Sequence, residues 1–468
     1  MNDSTRRSRW ACPVLLAAFS VPLPAAGSGA LDLLSSPAIL RSRSAQEPAA
    51  APQNPERAGA AKRKWFRGRS WTRYWRRWTA EDTDQDVLET LSLDLGDAEE
   101  DPVTVHLMGR LAADLDGYDP TFRGISDSYG RRTDALLYDG YADLHRVPGL
   151  SMVRLGRQTI QETPEVAFFD GLRVETEEIT DAGLQFGTYV GASTHLYESS
   201  PAGDLTAGAY AQGRPWKGGR LRIDYLRLED RALFLGHDDD IWGAGLWQRI
   251  CDQLSFDAQY SRIENRDRDV RGRLVATEAR WDLLLQASYY RLLTAQGNFA
   301  VEADPFFNSV HVLYPYTQWG ILLSKGLSEK FDLQGGIDLR RVEDVADVGT
   351  YNRDYDRYWF SLSADEIGVR GLSANVTADF WNSGGQLVRT WGGSVERTFD
   401  RLTASLGTYW SLYKFDLYSD QERDHVRTWF GKLRYRTGSD VTVDLDYELE
   451  DDAFDRTHSV RMGVAWLF

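Results

Sequence analysis

The residue types best suited to catalysis do not assemble into a constellation in this sequence. Seven histidines occur, His106, His145, His195, His237, His311, His425 and His458. None stands at a metal-ligand spacing from another His or Cys. His237 runs into Asp238, Asp239 and Asp240, which reads as a solvated acidic loop before it reads as a cation site. No glycine-rich phosphate loop is present. Hydrolase triads have no fixed order along a chain, so a barrel hydrolase stays as the enzyme alternative. The reading adopted is a chain that is not an enzyme and uses no cofactor and no metal. What does recur is a charged or polar residue at every second position. Charges spaced that way and pointing one way line a passage for hydrophilic solutes; they do not make a reaction centre.

The elements that carry them are strands. In 254–261, 331–340, 372–380 and 441–449 apolar and polar residues alternate without a break, so each strand has one apolar and one polar face. Weaker alternation recurs at 87–95, 103–115, 136–145, 150–158, 170–177, 184–191, 205–212, 220–229, 241–250, 270–281, 283–291, 316–327, 357–364, 387–399, 402–413, 427–437 and 458–468. The total is about 21 candidates of spanning length, joined by connections that alternate short and long. An even number is needed when both chain ends lie on one side. Demoting 87–95 or 170–177 gives a transmembrane antiparallel up-and-down β-barrel of about 18–20 strands. Trp319, Trp359, Trp391, Trp410 and Trp429 fall near strand ends, where interfacial aromatic girdles sit. A soluble propeller would need a repeated motif, and none is seen.

The polar faces nominate the lumen. Its basic candidates are Arg110, Arg154, Arg173, Arg220, Arg222, Arg340, Lys432 and Arg434. Its acidic candidates are Asp114, Asp139, Asp143, Glu175, Asp224, Asp257, Asp332, Asp338, Asp379, Asp444 and Asp446. If 438–440 is the last turn, Arg434 opposes Asp444 and Lys432 opposes Asp446, all four facing inward. A one-residue slip would turn these charges toward lipid.

Charge divides the chain. Residues 1–78 hold 14 Lys and Arg against 4 Asp and Glu, and the remainder holds 40 against 66. An acidic body is unsuited to nucleic acid and favours cations, so a cation preference is expected. Residues 1–30 read as a signal peptide, with Arg6, Arg7 and Arg9 before a short apolar run. Residues 31–61 read as an Ala/Pro/Ser-rich periplasmic linker. In 62–85 basic and aromatic residues interleave. Trp71, Tyr74, Trp75 and Trp78 fall at i, i+3, i+4 and i+7, the face of an amphipathic helix, which would lie on the membrane or plug the barrel. The barrel is then 86–468. Of the two cysteines, Cys12 falls in the signal peptide, leaving Cys251 and no intramolecular disulfide.

Two motifs refine this. The last strand, HSVRMGVAWLF, ends in Phe468, with Trp466 two residues earlier and Arg461 and Gly463 before it. It resembles the assembly signal of Gram-negative outer-membrane barrels, an edge strand that templates on the insertion machinery. Leu150–Gln158 followed by Phe169–Glu175 resembles the GRQ…FDG(V/L)R pattern of large porins of the alginate-export type. That resemblance implies an outer-membrane channel of roughly 18 strands passing small hydrophilic solutes. Its partners would be membrane lipid, lipopolysaccharide and the barrel-assembly machinery. The acidic lumen list argues against a polyanion as cargo. The alternative is a plugged, non-conducting structural or surface barrel.

Overall fold

The computed structural model describes residues 65–117, 122, 130–161, 164–194, 204–230, 237–295, 314–348, 352–383, 386–416, 421–452 and 455–468. The expected signal peptide and linker lie outside them. The described residues form one 22-stranded antiparallel sheet. In chain order the strands are β1 (Phe66–Trp78), β2 (Thr83–Leu95), β3 (Val103–Asp114), β4 (Thr133–Leu144), β5 (Leu150–Ile160), β6 (Ala167–Thr176), β7 (Gln185–Ser193), β8 (Leu205–Gly213), β9 (Gly219–Asp230), β10 (His237–Cys251), β11 (Leu254–Ile263), β12 (Arg266–Glu278), β13 (Leu283–Leu292), β14 (Tyr316–Ser328), β15 (Phe331–Val342), β16 (Tyr355–Ala364), β17 (Leu372–Ser383), β18 (Gln386–Phe399), β19 (Leu402–Asp416), β20 (Gln421–Arg436), β21 (Val441–Asp451) and β22 (Arg456–Leu467).

Each strand pairs with the next, and β1 pairs with β22 from Arg69↔Leu467 to Trp78↔His458. The sheet therefore closes on itself and leaves no free edge. The outer face is apolar. Leu107, Leu111, Leu155, Val190, Ile223, Trp242, Trp319, Ile321, Val376, Trp391, Leu406, Trp429 and Met462 all stand exposed on it. Short turns such as Asp252–Gln253 and Glu329–Lys330 join strands at one end, and the connections 115–132 and 293–315 belong to the other.

Three expectations change. The parity problem is solved by adding a strand: 87–95 and 170–177 are both full wall strands, β2 and β6, and the missing one is β1. The count is thus 22, above the expected 18–20. The basic-aromatic segment is accordingly neither helix nor plug over Phe66–Trp78, and the barrel begins at residue 66 rather than 86. The helical spacing of its aromatics is incidental. Pairing with β2 over Phe66–Trp78 and with β22 over Arg69–Trp78 takes up the backbone of the segment in the wall, and the alternation of Arg67, Arg69, Trp71, Arg73, Trp75 and Arg77 with Gly68, Ser70, Thr72 and Tyr74 is the period that matters. Finally, Trp359 is no girdle residue. It lies on the inner face, its ring over Gly336 of β15.

Among the described residues the interior holds one apolar core, confined to part of the wall. Ile160, Ala167, Phe169, Tyr189, Leu226, Ile241 and Ile263 bury one another with Leu228 packed alongside. These residues come from β5, β6, β7, β9, β10 and β11, toward their long-loop ends. Close approach there requires glycine: a Cβ at Gly208 would collide with the Tyr189 hydroxyl, and one at Gly187 with the Tyr210 ring.

Candidate functional site

Register assigns every strand residue to the outer or the inner face, because directly paired residues point the same way. Arg434 pairs with Asp444 and Lys432 with Asp446, while their neighbours Leu433 and Tyr435 stand exposed on the outside. These four charges therefore face inward in the expected register. The same reasoning places Arg110, Asp114, Asp139, Asp143, Arg154, Arg173, Glu175, Arg220, Arg222, Asp224, Asp257, Asp332, Asp338, Arg340 and Asp379 on the inner face.

Many of these residues are brought together as ion pairs. Arg154 Nε lies 2.7 Å from Asp143 across the β4–β5 pair. Arg273 Nε donates to Asp257 at 2.9 Å. Arg222 reaches Asp224 along one strand at 2.8 Å, and Arg173 binds Glu175 in the same way. Arg357 grips Asp379 through Nε at 3.0 Å and Nη2 at 2.7 Å, with Asp338 at 3.6 Å. Arg340 is fully buried, stacked over Tyr316 at 3.6 Å and donating to Asn352 at 2.9 Å. Pairing of this kind satisfies charges in a confined space and leaves a smaller residual field.

Sequence reasoning missed part of the lumen. Arg67, Arg69, Arg73 and Arg77 of β1 face inward with Trp71 and Trp75, opposite Asp94, Ser92, Leu88 and Asp84 of β2. Arg77 and Asp84 form a buried pair, Nε to Oδ2 at 2.9 Å. Arg461, named above only as part of the C-terminal signal, lies inward on β22 opposite Asp446, 5.1 Å from the Trp75 ring. Arg271, Arg273 and Arg357 are also inner-face residues. Their period-two placement was visible, but β1 was read at the helical period and the others were left unassigned. The lumen is consequently closer to charge balance than the sequence list. On its short-turn side an open space of about 630 Å³ is lined by Asp332, Gln334, Asn375, Glu396, Tyr409 and Lys432, among others.

The connection between β5 and β6 reaches inside the barrel. A Cβ on inward-facing Gly243 of β10 would strike the Pro164 ring. Glu165 accepts from Arg268 Nη2 at 2.6 Å, with the arginine side chain 7% and the glutamate 25% exposed. Pro164 and Glu165 thus bridge from the start of β6 to β10 and to the start of β12 on the long-loop side.

The remaining marked residues lie elsewhere. Gly463 faces inward and admits the Asp444 carboxylate against its Cα. Trp466 is exposed on the outer face. Phe468 pairs its backbone with Gly68, N to O at 3.0 Å and the reverse at 2.9 Å, and its ring sits 4.7 Å from Trp466 and 5.9 Å from Phe66. The acidic run after His237 is split between faces. Asp238 accepts from outward Arg227 at 2.7 Å, Asp240 from Tyr225 at 2.5 Å, and Asp239 is buried on the inner face. Arg157 and Asp170, from the GRQ and FDG stretches, face outward and bind each other through Nε and Nη2, both at 2.7 Å. Among the described residues no group of three or more His, Cys, Asp or Glu is arranged to hold a metal ion.

No protein-family model and no curated protein matches this sequence. Solved structures do resemble its fold. The P pilus usher (PapC) translocation pore is similar with a TM-score of 0.51 and 11% identity, over 86% of this chain and 99% of that one. OccK3 (OpdO) of Pseudomonas aeruginosa has a TM-score of 0.41 and 15% identity, over 86% and 95%. The outer membrane protein opdK of Pseudomonas aeruginosa has 0.40 and 12%, over 86% and 98%. At such identities the likeness is one of fold: a closed, antiparallel, up-and-down barrel of the outer-membrane type.

Proposed function

We propose that the protein is an outer-membrane channel for passage of small hydrophilic solutes, passive or gated at the long-loop mouth. The observation that carries this reading is the opposition of the two faces. A predominantly apolar exterior suits lipid, while the inner wall is a mixed array of charges, many of them ion-paired, around open space. The inward Arg69 and Arg73 of β1 offset the acids of β21, so the cation preference expected from sequence becomes weak, and solutes of either sign pass. Lipopolysaccharide and lipid contact the exterior, and the C-terminal strand engages the assembly machinery after export by the signal peptide. No catalytic role is assigned. Narrowing by Pro164 and Glu165 favours gating over a permanently open hole. The test is conductance of the purified barrel in a planar bilayer, together with uptake of neutral and charged sugars into liposomes; a sealed, inserted barrel refutes the channel.

A further inference from the structure

The barrel closes on itself, but one seam is joined over only part of its length. β4 and β5 are matched at five positions, from Leu144↔Val153 to Gly140↔Arg157. Among the described residues every other neighbouring pair is matched at seven or more. Neither strand ends at the break. β4 runs on beside β3 to Thr133, and β5 runs on beside β6 to Ile160. The break has a residue behind it. Gly156 adopts φ +125°, a conformation closed to most side chains, and a Cβ there would strike the Gly140 carbonyl. Past Arg157 the strands are joined by side chains. Arg157 Nη1 donates to the Leu137 carbonyl of β4 at 2.9 Å, and the Thr159 hydroxyl reaches Asp139 Oδ1 at 3.5 Å. Arg157 is itself held by Asp170 of β6 through Nε and Nη2.

Depth decides what such a seam can be. At ordinary strand rise and tilt the last matched pair stands roughly 10 Å above the short-turn end, and the unmatched stretch of β4 rises roughly 15–20 Å beyond it. That stretch occupies the long-loop half of an apolar band about 25 Å tall. Lipid offers no partner to backbone N–H and C=O groups, so unpaired strand persists at this depth where it is buried in protein or lines a passage. The two sides of the seam fit a passage for a molecule that is part apolar and part polar. Toward lipid stand Leu137, Leu155 and Phe168, all exposed. Toward the lumen β5 and β6 present Ile160 and Phe169, both buried, while β3 and β4 present Arg110 and Asp134, 3.6 Å apart. Gln158 of β5, also buried, keeps its Oε1 without a hydrogen-bond partner. We propose that the wall opens sideways between β4 and β5, and that amphipathic solutes, a polar head on an acyl or similar chain, pass there between the lumen and the lipid of the long-loop leaflet. The head follows Arg110, Asp134 and Gln158, and the chain follows Ile160, Phe169 and Leu137. Arg157 is the latch: its bond to the Leu137 carbonyl holds β5 against β4, and Asp170 holds the guanidinium in place. The inference rests on the membrane-embedded reading of the barrel; it adds a sideways route to the axial one and does not require ions to pass.

Photolabelling tests it. The full chain in lipid nanodiscs is irradiated with a dodecyl maltoside carrying a diazirine at the end of its chain, and adducts are mapped by mass spectrometry. Adducts are expected on Ile160 and Phe169 of the lumen side as well as on outward Trp319 and Trp391. In the chain with Cys12→Ser and Cys251→Ser, Asp139→Cys with Thr159→Cys staples the opening once oxidised. The Ile160 and Phe169 adducts are then expected to fall to background and return on reduction, while Trp319 and Trp391 keep theirs. Arg157→Ala needs no staple and is expected to raise the inner adducts about tenfold, the change that loss of one charge-assisted hydrogen bond gives. Inner adducts unchanged by the staple, unchanged by Arg157→Ala, or absent while the outer tryptophans label, each overturn the proposal. Heat-modifiable migration confirms that every variant is folded. Conductance of the same samples separates the two readings: a barrel without current whose inner labelling obeys the staple loses the axial channel and keeps the opening, and a conducting barrel whose inner labelling ignores the staple loses the opening alone.

Discussion

Replacing Glu165 by Gln should open the long-loop mouth. Glu165 and Arg268 are joined at 2.6 Å, and the arginine side chain is only 7% exposed. A hydrogen bond to a charged group contributes about 1.5–3 kcal/mol net. Glutamine keeps the shape and one weaker acceptor but removes the charge. Losing most of that contribution shifts the balance between docked and undocked β5–β6 connection about tenfold to a hundredfold, since 1.4 kcal/mol is a factor of ten. Gly243→Ala perturbs the same contact sterically, because the new Cβ meets the Pro164 ring. Both variants should raise the time spent in the largest conductance level, or the level itself, in single-channel records. Because their causes differ, agreement between them isolates the docked connection. Parent-like amplitudes and dwell times in both would refute the claim that this connection narrows the passage.

Three further outcomes follow from the wall. Arg77→Met should destabilise the barrel by about 3–5 kcal/mol, leaving Asp84 buried without its cation, while Arg77→Met with Asp84→Leu should recover most of the loss in urea unfolding from lipid vesicles. Gly68→Val should obstruct the Phe468 ring that lies against Gly68 and lower the yield of closed barrel, read as heat-modifiable migration; unchanged yield would show that the seam tolerates an unseated terminus. Arg69→Ser with Arg73→Ser removes two inward cations and should move the reversal potential toward cation preference, most clearly at low ionic strength.

Legibility in the sequence depended on what each strand faces. β11, β15, β17 and β21 carry an apolar outer face and a polar inner face, so they alternate cleanly, and even the register of β20 on β21 followed from the expectation that charges turn inward. β1 escaped because both its faces are amphipathic: Ser70, Thr72 and Arg76 point outward, and Trp71 and Trp75 point inward among arginines. Its neighbours in space are β2 and, across the closure, β22, and a pairing over nearly the whole chain leaves no local signal. The GRQ and FDG stretches were legible as a motif but not as a contact. Arg157 and Asp170 meet on the outside only because β5 and β6 pair in one register. The docked Glu165 was likewise invisible, since its partner Arg268 is far away in sequence and both look like ordinary loop charges.

Conductance of the purified, folded protein in a planar bilayer under a salt gradient bears most directly on the account. A charge-balanced lumen gated at its long-loop mouth predicts ionic current that switches between levels, with a permeability ratio for monovalent cations over anions within a few-fold of one, drifting toward cations in Arg69→Ser with Arg73→Ser. Insertion of folded barrels without current would contradict the channel itself.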